Sequence, residues 1–289
     1  MPNTIALAKN YTSLLDEVYR TASVTADLTS DATLVRAGAN ANEIVYPQIS
    51  VSGLGDYDRN SGYTTGAVDL TWKTTAFNYD RGTKISVDVM DNEESRNLAF
   101  GMAGATLMRD KVAPEADAFT FATIAACDKI SKATGTIDTP EQFLEALLTA
   151  WSKMDEDEVP QESRLLYATA TLLNSVMSLD TTKSREILAK FPVKKVVPQA
   201  RFYTAINLLD GKTAGEELGH YQKAEDASAI CFMIVHKPAL IKYDKHVVSN
   251  IIPAESNAEA DADIIKYRKY GIVDVYDNKR AGIYLHSEA

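Results

Sequence analysis

Between residues 43 and 91 polar and apolar side chains alternate. Ile49 and Val51 flank Ser50, and Val68, Leu70 and Trp72 alternate with Asp69, Thr71 and Lys73. Phe77 and Tyr79 bracket Asn78, while Ile85, Val87 and Val89 surround Ser86 and Asp88. A period of two predicts half-buried strands. Between them, the polar stretch 53–66 carries Gly53, Gly55, Gly62 and Gly66, which predicts a long loop or hairpin tip. At Asp91 the period lengthens: Leu98, Met102, Ala105, Val112, Ala116, Phe119, Thr123, Ala126 and Ile130 share a helical face. Asp91 and Glu94 have the spacing of a reciprocal cap, and Pro114 predicts a kink, without a stop, in a helix running to Ser131.

The pattern then becomes mixed. Thr139-Pro140-Glu141-Gln142 combines an N-cap, a first-turn proline and a capping-box glutamine, so a helix starts there. Phe143, Leu144, Leu147, Leu148 and Trp151 line its apolar face, and the acidic run 155–158 ends it. Residues 164–169, 194–197 and 230–235 read as strands, with 171–178 and 202–209 as helices among them. A β-rich tail follows at 246–252, 264–276 and 282–286, with a turn at 277–280, and is expected to pack beside the long helix. The first forty residues are rich in Ala, Thr, Asn and Asp, with one short apolar helix-like patch at Leu14, Leu15, Val18 and Tyr19, and read as an arm rather than a core.

The length of 289 residues suits two lobes, and 45% hydrophobic content supports a sizeable core. Thirty basic against forty acidic residues give a net charge of -10, which argues against a protein holding nucleic acid by neutralising phosphates. The longest apolar run, 229–235, is too short for a membrane span, and the N-terminus lacks a signal-peptide pattern, so synthesis in a cytoplasm is expected. Cys127 and Cys231 stand far apart among apolar neighbours and read as free thiols.

Candidate chemistry is sparse. Gly211-Lys212-Thr213 ends like a phosphate-binding loop, but Ile206 stands where that loop needs a glycine to curl its amides round a phosphate. His220, His236, His246 and His286 show no metal-ligand spacing, and no nucleophile elbow is present. Glu93-Glu94 and Glu216-Glu217 are adjacent acids pointing in different directions. No catalytic residue, cofactor or metal is expected. What stands out is a problem of shape: the ribbon 43–91 carries Trp72, Phe77, Tyr79 and several Val and Ile, and a two-stranded hairpin cannot cover its own apolar face. It either folds back on its own chain or lies across a neighbouring subunit.

Short stretches recur in a particular order. Asp58-Arg59 and Gly62-Tyr63 lie in the loop, Asp80-Arg81-Gly82 before the last ribbon strand, and Val87-Asp88-Val89-Met90-Asp91-Asn92-Glu93-Glu94 at the helix start. Val112-Ala113-Pro114-Glu115-Ala116-Asp117-Ala118, Val197-Pro198-Gln199-Ala200-Arg201-Phe202-Tyr203, Tyr267-Arg268-Lys269-Tyr270 and Asn278-Lys279-Arg280-Ala281-Gly282-Ile283-Tyr284 follow. As an ordered set over 44–286 the chain resembles the major capsid proteins of tailed bacteriophages, with the Hong Kong 97-type fold.

The resemblance implies an α+β chain: an N-terminal arm (1–42), an extended β-hairpin E-loop (43–90), a P-domain spine helix (91–131), an inserted α/β A-domain (132–239) and returning P-domain β-strands (240–289). It implies no enzyme activity. The implied role is self-assembly into an icosahedral shell of pentamers and hexamers around double-stranded DNA, made in a bacterial cytoplasm and ending in the virion. Trp72, Phe77 and Tyr79 would anchor the E-loop on a neighbour, with Tyr63 in the same loop contact. Asp58, Arg59, Asp80 and Arg81 would fix its register, and Arg268 would receive a carboxylate across the interface. Lys73 is the candidate lysine for the lysine–asparagine cross-link of some relatives, although nothing identifies its partner. Because the arm-like sequence begins at Met1, a separate scaffolding protein is expected, besides portal and decoration proteins. The acidic balance suits a container that contacts its DNA weakly. A cellular nanocompartment shell of the same fold is the alternative, and a soluble nucleotide-binding enzyme using the 211–213 turn a more distant one.

Overall fold

The computed structural model describes residues 18, 22–30, 36–37, 42–94, 98–179 and 181–289. Leu14, Leu15 and Tyr19 of the expected arm lie outside them. The described chain divides into two compact units, one within 31–78 and the other formed by the rest.

The smaller unit is a three-stranded antiparallel sheet. Its strands are β1 (Arg36–Ala37), β2 (Glu43–Val51) and β3 (Val68–Ala76), in the order β1-β2-β3. Between β2 and β3 the stretch 52–67 forms the tip, tied at its base where Ser52 N donates to Ala67 O.

The larger unit opens with residues 22–30 and resumes at β4 (Tyr79–Asp88). Helices α1 (Val89–Glu94) and α2 (Leu98–Thr106), a π-helical stretch (Leu107–Val112) and α3 (Ala113–Ala126) follow. The cap differs from expectation: Asp88, not Asp91, accepts the Met90 amide at 2.9 Å, because the helix begins three residues earlier. Pro114 lacks the N–H that an α-helix needs at that position. The chain widens just ahead of it, with Ala113 N bonding back to Met108 O, so the helix continues. It also ends sooner than its pattern suggests. Cys127 is extended, and β5 (Ser131–Thr134) pairs in parallel with the C-terminal strand, whose edge takes up the backbone bonds that further helix would have used.

Then come α4 (Pro140–Glu156), β6 (Arg164–Thr169), α5 (Ala170–Leu179), α6 (Thr182–Ala189), β7 (Val193–Val197), β8 (Ile206–Leu208), β9 (Tyr221–Lys223) and β10 (Ile230–His236). The long strands β11 (Leu240–Ile252) and β12 (Ala262–Val275) and the last strand β13 (Ile283–Ser287) complete the unit. Thr139 and Gln142 form the expected reciprocal cap of α4. A helix over 202–209 does not form; instead β8 pairs with β9, a contact distant enough in sequence to be invisible to local propensity.

Two sheets organise the larger unit. The five-stranded sheet β5-β13-β10-β6-β7 is covered on both faces, which is why β10 reads as an unbroken apolar run. On one side Tyr167, Met233, Val235, Ile283 and Leu285 pack with Phe121 and Ile124 of α3 and Val273 of β12. On the other, Leu166, Phe232, Ile234 and Tyr284 meet Phe143, Leu147 and Trp151 of α4. The tail therefore packs on α3, as its pattern predicts. The second sheet, β11-β12-β4, is antiparallel, and Tyr267 of β12 packs on Met108 and Val112 of the π-helical stretch. Cys231 is buried, Cys127 half-buried, and both are free thiols.

Residues 22–30 are held by buried polar groups. Asp117 of α3, fully buried, accepts from Ser23 Oγ (2.7 Å), Val24 N (2.9 Å), Thr25 N (3.1 Å), Thr25 Oγ1 (2.7 Å) and Arg201 Nη1 (3.1 Å). Lys242 of β11 donates to Thr25 O at 2.8 Å and Thr25 Oγ1 at 2.6 Å. Burial, reinforced by the charge of Lys269, pushes the Lys242 ammonium down to about 8 from its ordinary 10.5. Between those values the unfolded chain binds a proton that the folded chain has released, so stability from this group rises with pH in that window. Denaturation midpoints measured at pH 7.5 and 9.5 are expected to increase more in the native chain than in Lys242→Met; equal increases would contradict the coupling.

Candidate assembly surface

The hairpin of the smaller unit separates its two faces by register. Pro47 lies opposite Trp72, Ile49 opposite Leu70, and Val51 opposite Val68, so these six side chains share one face. All six are exposed, with Ile49 60%, Val51 68%, Val68 70%, Leu70 50% and Trp72 47% open to solvent. Gln48, Ser50, Asp69, Thr71 and Lys73 occupy the other face. A contiguous apolar stripe left in water is the signature of a surface that meets a partner. Phe77, just past β3, is half-buried.

The tip is amphipathic. Tyr57 and Tyr63 meet edge to face at 4.9 Å, Tyr63 is 89% exposed and Leu54 fully so. Asp58 turns its carboxylate onto the Asn60 amide at 2.6 Å, and the amides of Asn60 and Ser61 hold it below the ordinary carboxylate range. Arg59 is exposed beside it.

The structure separates Tyr79, Asp80, Arg81 and Arg268 from that hairpin. Tyr79 is buried in its own chain, packed on Phe119 at 4.9 Å with its hydroxyl 3.2 Å from Glu115 Oε1. It cannot anchor a neighbour, because β4 pairs with β12 and turns the ring onto α3. Arg81 likewise points inward: Nε donates to Glu115 Oε1 at 2.7 Å and Nη2 to Leu209 O at 2.8 Å and His220 O at 3.3 Å. Arg268 finds its carboxylate within the chain, since Asp80 accepts from Nε at 2.9 Å and Nη2 at 2.7 Å. Alternation along a strand gives side-chain parity but not which parity faces the core, and that signal was missing from the sequence.

The Gly211-Lys212-Thr213 turn is filled by its own carboxylate. Asp210 Oδ1 accepts the Lys212 and Thr213 amides at 2.7 and 2.8 Å, and Oδ2 accepts Thr213 Oγ1 at 2.7 Å. The amides of Thr213 and Lys212 together hold Asp210 down to about 2, so an anion stands where a phosphate would have to bind. Among the described residues no three His, Cys, Asp or Glu side chains form a metal cluster, and no helix is long and apolar enough to cross a membrane.

Glu115, at the start of α3, links β4 to the 209–220 loop; it lies in the 112–118 stretch of the resemblance, where nothing in the sequence gave it a role. Burial works against its charge, but His220 and Arg81 outweigh that and hold it below 4.5. His220 Nδ1 stands 3.6 Å from Oε2, beyond hydrogen-bond length, so Arg81 at 2.7 Å is the stronger partner. A carboxylate with a depressed pKa stabilises the fold above its unfolded value and loses that contribution as pH falls through the folded one. Acid titration of unfolding is therefore expected to show a weaker pH dependence below about pH 4.5 in Glu115→Gln than in the native chain; identical acid profiles would contradict it.

No protein-family model matches the sequence, and no curated protein matches it. Solved structures do. One of Mycobacterium phage Che8 is 14% identical, covers 91% of this chain and 90% of its own, and superposes with a TM-score of 0.58. The capsid structure of the cyanophage P-SCSP1u is 13% identical, with coverage of 88% and 85% and a TM-score of 0.59. A virus-like particle from Pyrococcus furiosus is 10% identical, with coverage of 96% and 98% and a TM-score of 0.56. Identities this low with coverage this full mean that the backbone path is shared where the side chains are not. The chain is an α+β protein with the Hong Kong 97-type capsid fold.

Proposed function

We propose that this protein is the repeating subunit of a closed shell, the major capsid protein of a tailed bacteriophage, assembling through pentamers and hexamers into a head that encloses double-stranded DNA. The exposed apolar face of the β2–β3 hairpin carries this reading. A chain of this fold that leaves Pro47, Ile49, Val51, Val68, Leu70 and Trp72 in water has a face that only another subunit covers repeatedly. In this reading residues 43–90 are the E-loop, with β4 as its root, 91–131 the spine region, 132–239 the A-domain and 240–289 the returning strands. Its work is mechanical: many repeated heterologous contacts, each modest, close the shell. A scaffolding protein, a portal and decoration proteins are the partners it calls for, and the virion is its final location.

A cellular nanocompartment shell is the second reading, favoured by the virus-like particle from Pyrococcus furiosus and its near-complete mutual coverage. An enzyme cargo, and the absence of portal and terminase genes beside this one, would select it.

Electron microscopy and light scattering of the chain expressed alone and with its genomic neighbours are expected to show closed shells or rings of five and six. A compact monomer in both settings would remove the shell reading. Trp72→Ala removes the largest side chain of the open face, where truncating a buried aromatic anchor costs about 2 kcal/mol or more. That variant is expected to lose shells while keeping the circular dichroism of the native chain; normal shells from it would show that Trp72 is no anchor.

A further inference from the structure

Strands β11 and β12 turn charged side chains toward α3. Lys242 and Asp244 lie two apart on β11, opposite Val273 and Gly271, so they share one face of the sheet with Lys269 of β12, two residues from Gly271. Ala116, Phe119 and Thr120 of α3 lie against that face, and together these residues border a recess of about 10 Å³. All of them are buried except Asp244 and Phe119, which are half-buried. A buried polar group is costly unless its hydrogen bonds are made, so each donor and acceptor here needs a partner.

Asp244 meets Lys269, whose Nζ stands 3.1 Å from Oδ2. Its carboxylate can lie across β12 because residue 271 is glycine: a Cβ there would stand 2.7 Å from Oδ1 and 2.9 Å from Tyr243 O. Oδ1 itself accepts no hydrogen bond among the described residues. Lys242 has the opposite need. An ammonium carries three N–H groups. Lys242 donates to Thr25 O and Thr25 Oγ1, and its remaining N–H has no acceptor among the described residues. Thr120 donates its hydroxyl proton to Ala116 O at 2.7 Å, so its oxygen can still accept.

The recess has room for one molecule of the size of water and is too small for phosphate or an organic ligand. Charge narrows the occupant further. A metal cation would satisfy Asp244 Oδ1 but face the Lys242 and Lys269 ammoniums, and chloride would satisfy Lys242 but face that carboxylate oxygen. A neutral molecule that accepts on one side and donates on the other meets both needs.

We propose that this recess is a binding site for one water molecule, which accepts from Lys242 Nζ, donates to Asp244 Oδ1 and has Thr120 Oγ1 as its third partner. The site lies within the larger unit and needs no second copy, so it is independent of the shell reading. The water extends the polar core that begins at Asp117 and Thr25, and carries it from β11 to α3.

A high-resolution density map of the native chain, from crystals or from assembled particles, is expected to show a single peak about 2.7–3.2 Å from both Lys242 Nζ and Asp244 Oδ1. In crystals, bromide in place of chloride should add no anomalous signal there. Lys242→Met takes away the donor at similar length, and its map should lose the peak while Lys269 and Asp244 stay paired. A native map without the peak would overturn the site. An anomalous bromine signal in the recess would make it an anion site and overturn the water, and a peak that survives in Lys242→Met would overturn Lys242 as the group that holds it. The native map decides alone should Lys242→Met fail to fold.

Discussion

The fully buried carboxylate of Asp117 is the constraint around which the larger unit closes. A carboxyl group taken out of water is costly to bury unless its oxygens are hydrogen-bonded. Helix α3 can therefore carry Asp117 into the core only if residues 23–25 and Arg201 arrive with it. That one requirement brings together the start of the described chain, the main helix and the turn that precedes β8. Lys242 adds a second condition, because its ammonium is buried with Thr25 as its hydrogen-bond partner and stays charged at neutral pH at a cost. Apolar packing supplies most of the driving force, but it is non-directional. These polar contacts specify where the segment 22–30 sits.

The two units treat their apolar surface in opposite ways. In the larger one, α3 and α4 cover both faces of the five-stranded sheet, so the strand β10 is satisfied within the chain. Among the described residues, the hairpin of the smaller unit keeps Ile49, Val51, Val68 and Leu70 at least half open to solvent. The larger unit thus satisfies its apolar sheet within the chain, whereas the smaller unit keeps apolar side chains at its surface.

Polar pairs anticipated between subunits mostly close within the chain instead. Asp80 with Arg268, and Arg81 with Glu115, fasten β4 to β12 and to α3, so the strand leading out of the hairpin is rooted in the larger unit. The Asp210 turn is a comparable case, where a motif that resembles a phosphate loop is completed by its own carboxylate.

The hairpin, the capped start of α4, the buried strands β6 and β10 and the β-rich tail were all legible in the sequence, because each is written in a local period or a capping pattern. The ordered short stretches pointed to the right fold as well, although they lie in varied places, 58–63 in the hairpin tip, 80–82 within β4 and 267–270 within β12. What tertiary structure alone decided was the parity of β4, which turned Tyr79 and Arg81 inward, the early end of α3 at Ala126 and the β8–β9 pair. It also decided the anchoring by Asp117, whose partners lie more than eighty residues away in sequence. Periodicity says that a strand has two faces and a helix one apolar stripe. Which face is buried, and where a pattern stops, depends on backbone bonds and buried charges supplied by distant residues, and no local window contains them.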